Sequence, residues 1–387
     1  MNPALFSYGF RPFFLGVGLA ALLVPLWAWS FVSGADLPSA WPPMLWHAHE
    51  MLFGFVVAAI AGFLLTAVPS WTGRKGFAGW PLVLLFTLWL LGRIAVGSSE
   101  WVPHAAVVEL AFLPALLALL AWPLLRERNR NTPLLLVLVA LCACDAVCHW
   151  ALWRDDLALA RQALLVGIDI VLVLVTVIGG RIVPAFTATA LRQAGGVAAP
   201  RATEGLTSVV VTLMVAVAVV DVLWPYGPWA GGIALAAALA QALRLSQWQT
   251  RHTRRMPIVW VLHLAYAWLP LGLALKALSL LTGAAIAAYW LHALTIGAIA
   301  TMIVAVMTRA ALGHTGRPLQ VHRLTVVAYV LLALAAVVRV FGPALHGQAY
   351  PMVVVCSAAL WTAAFVLFLW IYGPILLGPS VNPRARR

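Results

Sequence analysis

The sequence predicts an all-α membrane protein with about twelve spanning helices. Of its 387 residues, 64% are hydrophobic and only 9% are charged, and the mean hydropathy is +0.99. Soluble domains average about 25% charged residues. Apolar runs of the roughly 20 residues that a helix needs to cross a bilayer recur along the chain. Lipid leaves no partner for the open edge of a sheet, so these runs must be helices. A soluble globular protein, a disulfide scaffold and a disordered chain are excluded.

The apolar runs follow one another with short connections, which predicts a single transmembrane helical domain over residues 1–387. The predicted spans are 14–32, 45–68, 80–97, 105–125, 133–153, 160–183, 206–224, 228–248, 257–282, 286–309, 321–342 and 351–377. No charged segment with a cleavage site precedes the first span, because residues 11–14 (RPFF) lead straight into it. We therefore predict that no signal peptide is removed.

The basic residues lie mostly in alternate connections. The connections of one side contain 19 of the 24 Lys and Arg residues, namely Arg11, Arg74, Lys75, Arg126, Arg128, Arg130, Arg181, Arg192, Arg201, Arg244, Arg251, Arg254, Arg255, Arg309, Arg317, Arg323, Arg384, Arg386 and Arg387. The opposite connections contain Arg154, Arg161, Asp36, Asp155, Asp156, Glu100, His104 and His346. The positive-inside rule therefore predicts cytoplasmic termini and, in a bacterium, the inner membrane. The net charge of +13 then reflects topology and the lipid bilayer rather than nucleic acid.

Ionisable side chains also occur within the predicted spans. They are Arg93, Lys276, Arg339, Glu50, Glu109, Asp145, Asp169 and Asp221. Such groups are costly in lipid and usually mark a site or a pathway, commonly in pairs. The alternative is that they snorkel to the interface or form structural ion pairs. Most of them lie toward the predicted outer side, which favours a site there.

Histidine is the most informative of the intramembrane residues. The spans contain His47, His49, His149, His263 and His292. A neutral imidazole binds a metal through one ring nitrogen and needs a partner for the other. A lone buried histidine is usually a hydrogen-bonded core residue, but five in one bundle favour metal binding. The spacing does not distinguish iron from copper or zinc.

The second span opens with the segment 46–55 (WHAHEMLFGF). At about 100° per residue, His47 and Glu50 share a face with Gly54 and Gly62, whereas His49 points away. This smooth face suits a flat macrocycle, with His47 as axial ligand and Glu50 near the open coordination position. The same small-residue stripe would equally allow two helices to approach closely. His292 should lie at a similar depth, so a heme between helices, alone or beside a second metal, is a further geometric possibility.

The remaining motifs are less informative about function. Cys144 and Cys148 are one turn apart and His149 follows, which suits either copper or ordinary core packing. The covalent heme motif C-x-x-C-H is absent, as are Walker and dinucleotide motifs and a nucleophile elbow. The segments 179–181 (GGR) and 312–318 (LGHTGRP) are predicted as cytoplasmic turns that suit heme carboxylates, anionic lipid or topological anchoring.

Several ordered segments together resemble the NnrS family. They are 9–14 (GFRPFF), 46–55, 62–69 (GFLLTAVP), 71–74 (WTGR), 179–187 (GGRIVPAFT), His263 with Tyr266, 292–318 and 372–377 (YGPILL). Ser70 stands where many relatives are expected to have Asn, and the cysteine cluster is not part of the family pattern. The resemblance implies a bacterial inner-membrane protein that contains heme and copper and acts in the nitric oxide response and in denitrification.

The leading hypothesis is an enzyme that removes nitric oxide by reducing it to nitrous oxide, with electrons from an unidentified donor. The predicted cofactors are one or two b-type hemes, with copper as a further metal. Alternatives are a metal or small-solute transporter and a nonenzymatic nitric oxide sensor. The sequence does not indicate an oligomeric state.

Specific side chains are predicted for each role. His47, His49 and His292 are predicted metal ligands, and His263 would bind a second, cytoplasmic-side heme. Glu50 is the predicted proton donor and Lys276 a second catalytic group that stabilises negative charge. The side chains predicted to contact the cofactor are Arg11, Arg93, Arg309 and His263.

Overall fold

The computed structural model is all-helical, and it describes residues 4–37, 39–100, 105–196, 199–201, 203–345 and 349–381. Among these residues there is no β-strand. The twelve long helices are α1 Phe10–Ser33, α2 Pro43–Thr72, α3 Trp80–Gly97, α4 Ala105–Arg126, α5 Leu134–Trp153, α6 Leu157–Gln193, α7 Glu204–Leu223, α8 Pro228–Ser246, α9 Pro257–Thr282, α10 Ala285–His314, α11 Arg323–Ala344 and α12 Tyr350–Leu377. Each is long and apolar enough to cross a membrane. The prediction of an all-α polytopic membrane protein is therefore confirmed.

Helix boundaries depart from the predicted ones at both predicted turns. α10 continues to His314, the third residue of the segment 312–318. α6 continues through the segment 179–181 to Gln193, so the turn predicted there is wrong. Gly180 is instead a packing position, because a β-carbon on it would overlap the guanidinium of Arg244 in α8. Arg244 itself is buried within α8 rather than exposed in a connection. The predicted loop residues His104, His346, Arg384, Arg386 and Arg387 lie outside the described residues.

The chain divides into two compact units. Unit 1 consists of Met1–Gly167, Arg309–Leu319 and Phe365–Arg387, and unit 2 of Ile168–Thr308 and Gln320–Ala364. Each unit is described by itself. The single transmembrane domain inferred from the sequence stays a prediction.

In unit 1, α1 packs closely against the small-residue face of α2. Phe13 and Phe14 of α1 are buried, and a β-carbon on Gly62 would lie 2.8 Å from a ring carbon of Phe14. A β-carbon on Gly54 would lie 3.1 Å from the Arg93 side chain. Both glycines thus admit a neighbouring side chain. The structure favours helix packing, rather than a bound macrocycle, as the use of this face.

Two helices contain a π-helical segment directly after a histidine. In α2 the segment Glu50–Val56 follows His49, and in α10 the segment Ala293–Ala300 follows His292. Hydrogen bonds from residue i to i+5 widen the helix and change the angle between successive side chains, and such segments are frequent at functional sites. The face assignments predicted at 100° per residue therefore do not apply beyond His49.

Candidate metal centre

The centre is built by four helices of unit 1, which bring intramembrane side chains to one end of the bundle. His49 and Glu50 lie where α2 passes from α-helix to π-helix, and Arg93 lies in the last turns of α3. Glu109 lies near the start of α4, and α5 presents Asp145 and His149 one turn apart. By the predicted topology, this is the outer end.

Four of these residues form a group that could hold a metal ion. One ligand atom from each of His49, Glu109, Asp145 and His149 lies within 4.8 Å of every other. The His49 Nε2 atom is 3.1 Å from Asp145 Oδ1, and His149 Nε2 is 3.2 Å from Glu109 Oε2 and 3.8 Å from Asp145 Oδ1. Bonds of about 2.1 Å to a tetrahedral ion place ligand atoms about 3.4 Å apart. The donor spacing therefore suits an ion among the four side chains.

Glu50 and Arg93 surround the group. Arg93 donates to Glu50 Oε1 at 2.6 Å and also to Glu109 Oε1. The same Glu50 oxygen is 3.3 Å from His49 Nδ1. Donation of the Nδ1 hydrogen to Glu50 would leave Nε2 as the ligand atom, which is the carboxylate–histidine–metal arrangement of many metal sites. Within the described part of the chain, Glu50 Oε2 is buried and has no hydrogen-bond partner.

The formal charges of the cluster do not balance without a cation. Glu50, Glu109 and Asp145 carry three negative charges, and Arg93 carries one positive charge. With neutral imidazoles the sum is −2, on side chains that are at most 9% exposed. Uncompensated charge in such surroundings is costly. One divalent cation, or two added protons, would neutralise the cluster.

The donor set fits an ion bound directly by the protein better than a heme at His49. Both ring nitrogens of His49 face carboxylate oxygens, which can act as co-ligands of an ion. The rings of Trp41, Phe53 and His149 pack against the His49 ring at centroid distances of 4.6, 4.9 and 5.4 Å. A heme iron needs an imidazole nitrogen with the macrocycle beside it. The residues around His49 do not provide that arrangement.

The other predicted metal ligands are not among the four residues of this group. In unit 1, His47 stacks on Trp27 at 4.2 Å between ring centroids. In unit 2, His292 is the residue before the π-helical segment of α10. His263 has Thr187 Oγ1 2.8 Å from Nε2 and Thr250 Oγ1 2.9 Å from Nδ1. Since both nitrogens of His263 already have hydroxyl partners, its surroundings do not fit heme ligation.

The structure also shows where the three arginines predicted to contact the cofactor lie, and where Lys276, the second predicted catalytic group, lies. Arg11 is buried and donates to the backbone oxygens of Leu376 and Gly378 at 2.9 and 2.5 Å, and so caps the end of α12. Arg93 pairs with Glu50 and Glu109 at the candidate metal centre. Arg309 is partly buried near the end of α10. Lys276 lies in unit 2 and donates to Asp221 Oδ2.

Sequence reasoning noted Glu109, Asp145 and His149 but did not include them in the predicted site. The spacing of Asp145 and His149, four residues apart on α5, was the signal that could have found them. The sequence pattern favoured the neighbouring Cys144 and Cys148 as the partners of His149. Cys144 and Cys148 are buried, and within the described part of the chain neither belongs to the metal-binding group.

Fold and site together define the class: a polytopic α-helical membrane protein with a buried histidine and carboxylate centre. The family model described as NnrS protein matches residues 4–380. The chain therefore belongs to the NnrS family, which confirms the resemblance seen in its motifs. This membership points to a role in the nitric oxide response. No curated protein matches the chain.

Proposed function

We propose that the protein binds nitric oxide and reduces it to nitrous oxide at a redox-active metal ion held by His49, Glu109, Asp145 and His149. The observation that carries this proposal is the buried set of two imidazoles and two carboxylates, with donor atoms spaced for one ion. Imidazole and carboxylate together suit iron or copper as well as zinc. Copper is the ion that the family resemblance implies.

The site suits a small apolar substrate. Nitric oxide partitions into lipid, so it can reach a buried centre without an aqueous channel. When bound, a redox-active ion would supply the one-electron chemistry that the reduction requires. The balanced reaction joins two nitric oxide molecules, two protons and two electrons to give nitrous oxide and water. The electrons would come from a donor that remains to be identified.

The side chains around the group supply positioning and proton handling. Arg93 holds the carboxylates of Glu50 and Glu109 in place. The second oxygen of Glu50 is buried without a hydrogen-bond partner, so it is the oxygen that could hold a proton beside the ion. Lys276 remains a proposed catalytic group, and in unit 2 it donates to Asp221.

Heme b, in one or two copies, is a separate proposal. Because His49 and His263 do not fit axial ligation, it rests on His47 and His292. We further propose the inner membrane of a bacterium as the location, with both termini in the cytoplasm.

The test uses the purified protein in lipid nanodiscs. Elemental analysis, an optical spectrum and anaerobic nitric oxide consumption with a chemical reductant are measured, with nitrous oxide quantified in the gas phase. The double variant His49→Ala/His149→Ala should lose bound metal and nitrous oxide production. His314→Ala is the matched control, because it removes a histidine of unit 1 that stacks on Tyr8 outside the group.

Three results would contradict the proposal in distinguishable ways. Unchanged nitrous oxide production in the double variant would remove the cluster from the chemistry. Nitric oxide binding with no nitrous oxide would indicate a sensor. Metal uptake into vesicles that depends on the cluster, without nitric oxide consumption, would indicate a transporter.

A further inference from the structure

Unit 2 contains a second buried cluster of ionisable side chains. Asp169 of α6, Asp221 of α7 and Lys276 of α9 are each 1% exposed. Lys276 Nζ donates to Asp221 Oδ2 and lies 4.8 Å from the centroid of the Trp290 ring. Asp169 interacts with both Asp221 and Lys276. Three helices thus bring two carboxyl groups and one amine together.

The charges of this cluster do not balance. Two carboxylates and one ammonium group sum to −1 within helices that cross the membrane. The opposite charges of Lys276 and Asp221 cancel within their ion pair. The ring face of Trp290 adds a favourable cation–π contact to the Lys276 ammonium group. The excess negative charge therefore falls on Asp169. An isolated carboxylate in an apolar interior is among the most costly groups to bury.

A second observation concerns Asp169 directly. Its Oδ2 atom is buried and has no hydrogen-bond partner among the residues that the structure describes. An ionised carboxylate accepts hydrogen bonds at both oxygens, and a buried oxygen without a donor carries the full cost of its desolvation. A proton on the carboxyl group removes the charge and turns an acceptor into a donor. Two neighbouring carboxyl groups commonly retain one proton for this reason.

From this charge and this unpartnered oxygen, we infer that Asp169, Asp221 and Lys276 form a proton-binding site in unit 2, with the proton on Asp169. The Lys276–Asp221 ion pair positions the site and keeps the proton on the third group. This inference does not rest on nitric oxide chemistry. Its tests are made without nitric oxide, so its failure and that of the proposed function are distinguishable.

The first test detects the proton by infrared spectroscopy of the protein in lipid. A protonated carboxylic acid has a carbonyl band separate from the amide and carboxylate bands. At neutral pH we expect one such band to disappear in Asp169→Asn and to persist in Glu204→Gln, which replaces an exposed acid at the start of α7. An unchanged spectrum of Asp169→Asn would overturn the inference. Absence of any such band from the wild-type protein at neutral pH would also overturn it.

The second test uses the melting temperature to ask whether Asp169 is neutral. Asparagine matches the shape of a protonated aspartate, so Asp169→Asn should melt close to the wild-type protein. Asp221→Asn should melt markedly lower, because it leaves the Lys276 ammonium group buried without its carboxylate. The double variant Asp221→Asn/Lys276→Met should recover most of that loss. Equal damage from Asp169→Asn and Asp221→Asn would mean that Asp169 is ionised, which overturns the inference.

Discussion

The two units each bury a polar cluster, but the clusters differ in composition. The unit 1 cluster combines two imidazoles with three carboxylates and one guanidinium group. The unit 2 cluster, defined by Asp169, Asp221 and Lys276, has two carboxylates, one ammonium group and no imidazole of its own. Both are almost fully buried. The same kind of membrane-spanning helix therefore carries two different solutions to buried charge.

The difference shows what imidazole adds. Without it, a cluster with one excess negative charge is neutralised by a single proton on an oxygen. A cluster with two imidazoles and an excess of two negative charges offers a divalent ion both the compensating charge and the nitrogen ligands that transition metals prefer. We therefore propose that histidine, rather than the number of acids, distinguishes the candidate metal centre of unit 1 from the proposed proton site of unit 2.

The strongest way to break this comparison is to remove the oxygen that faces both imidazoles of unit 1. Asp145 Oδ1 is 3.1 Å from His49 Nε2 and 3.8 Å from His149 Nε2. Asp145→Asn should lower metal affinity by more than the roughly 10–100-fold loss typical of outer-shell partners. Metal titration followed by elemental analysis measures the change. Asp169→Asn, the matched carboxyl replacement in unit 2, should retain full metal binding, and a loss there would contradict the division of roles.

The next largest effect is expected from removing the guanidinium group of unit 1. Arg93 is 9% exposed and pairs with both Glu50 and Glu109. Removing one partner of a buried pair typically costs about 3–5 kcal/mol. Arg93→Ala should therefore lower the free energy of unfolding by an amount in this range, measured by denaturant unfolding in detergent. Lys276→Met removes one ion pair rather than two, so it should cost less, and the reverse order would refute the charge accounting.

A smaller effect is expected at Glu50, which contacts His49 from outside the four-residue group. Glu50→Gln keeps the size of the side chain and an acceptor for Arg93 but removes the charge that orients the imidazole. Metal affinity should fall by about 10–100-fold while the fold is retained. Competition with a chelator of known affinity measures the metal affinity of the variant. Unchanged affinity would place Glu50 outside the metal chemistry, as a partner of Arg93 alone.

The sequence predicted the fold well because membrane spans are recorded in hydropathy. Every long apolar run became a helix, and the predicted turn that proved wholly helical lay at the glycine pair of α6, where Gly180 makes room for Arg244. A glycine that ends a helix and a glycine that admits a neighbouring side chain look the same in sequence. Only the packing partner distinguishes them.

The candidate site was predicted in part. Residue type and depth singled out His49, Glu50 and Arg93, because ionisable groups are rare in lipid. The sequence could not predict which histidines come together, because the π-helical segment after His49 changes the direction of the side chains that follow. Nor could hydropathy show that His47 would stack on Trp27 rather than join His49. Contacts between helices decide such pairings, and a linear pattern does not contain them.

The smallest expected effect comes from an ion pair of unit 1 that is open to solvent. Arg74 donates to Glu127 Oε1 from NH2 at 2.7 Å and from Nε at 3.2 Å, and the two side chains are 32% and 41% exposed. Exposed pairs contribute about 0–1 kcal/mol, because water already solvates both charges. Arg74→Ala should therefore change the free energy of unfolding far less than Arg93→Ala, although its pair has comparable hydrogen-bond geometry. A double-mutant cycle with Glu127→Ala isolates the pair, and added salt should weaken it. If Arg74→Ala cost as much as Arg93→Ala, burial would not be what makes the intramembrane charges consequential, and the inference from unbalanced charge to a bound ion or proton would lose its premise in both units.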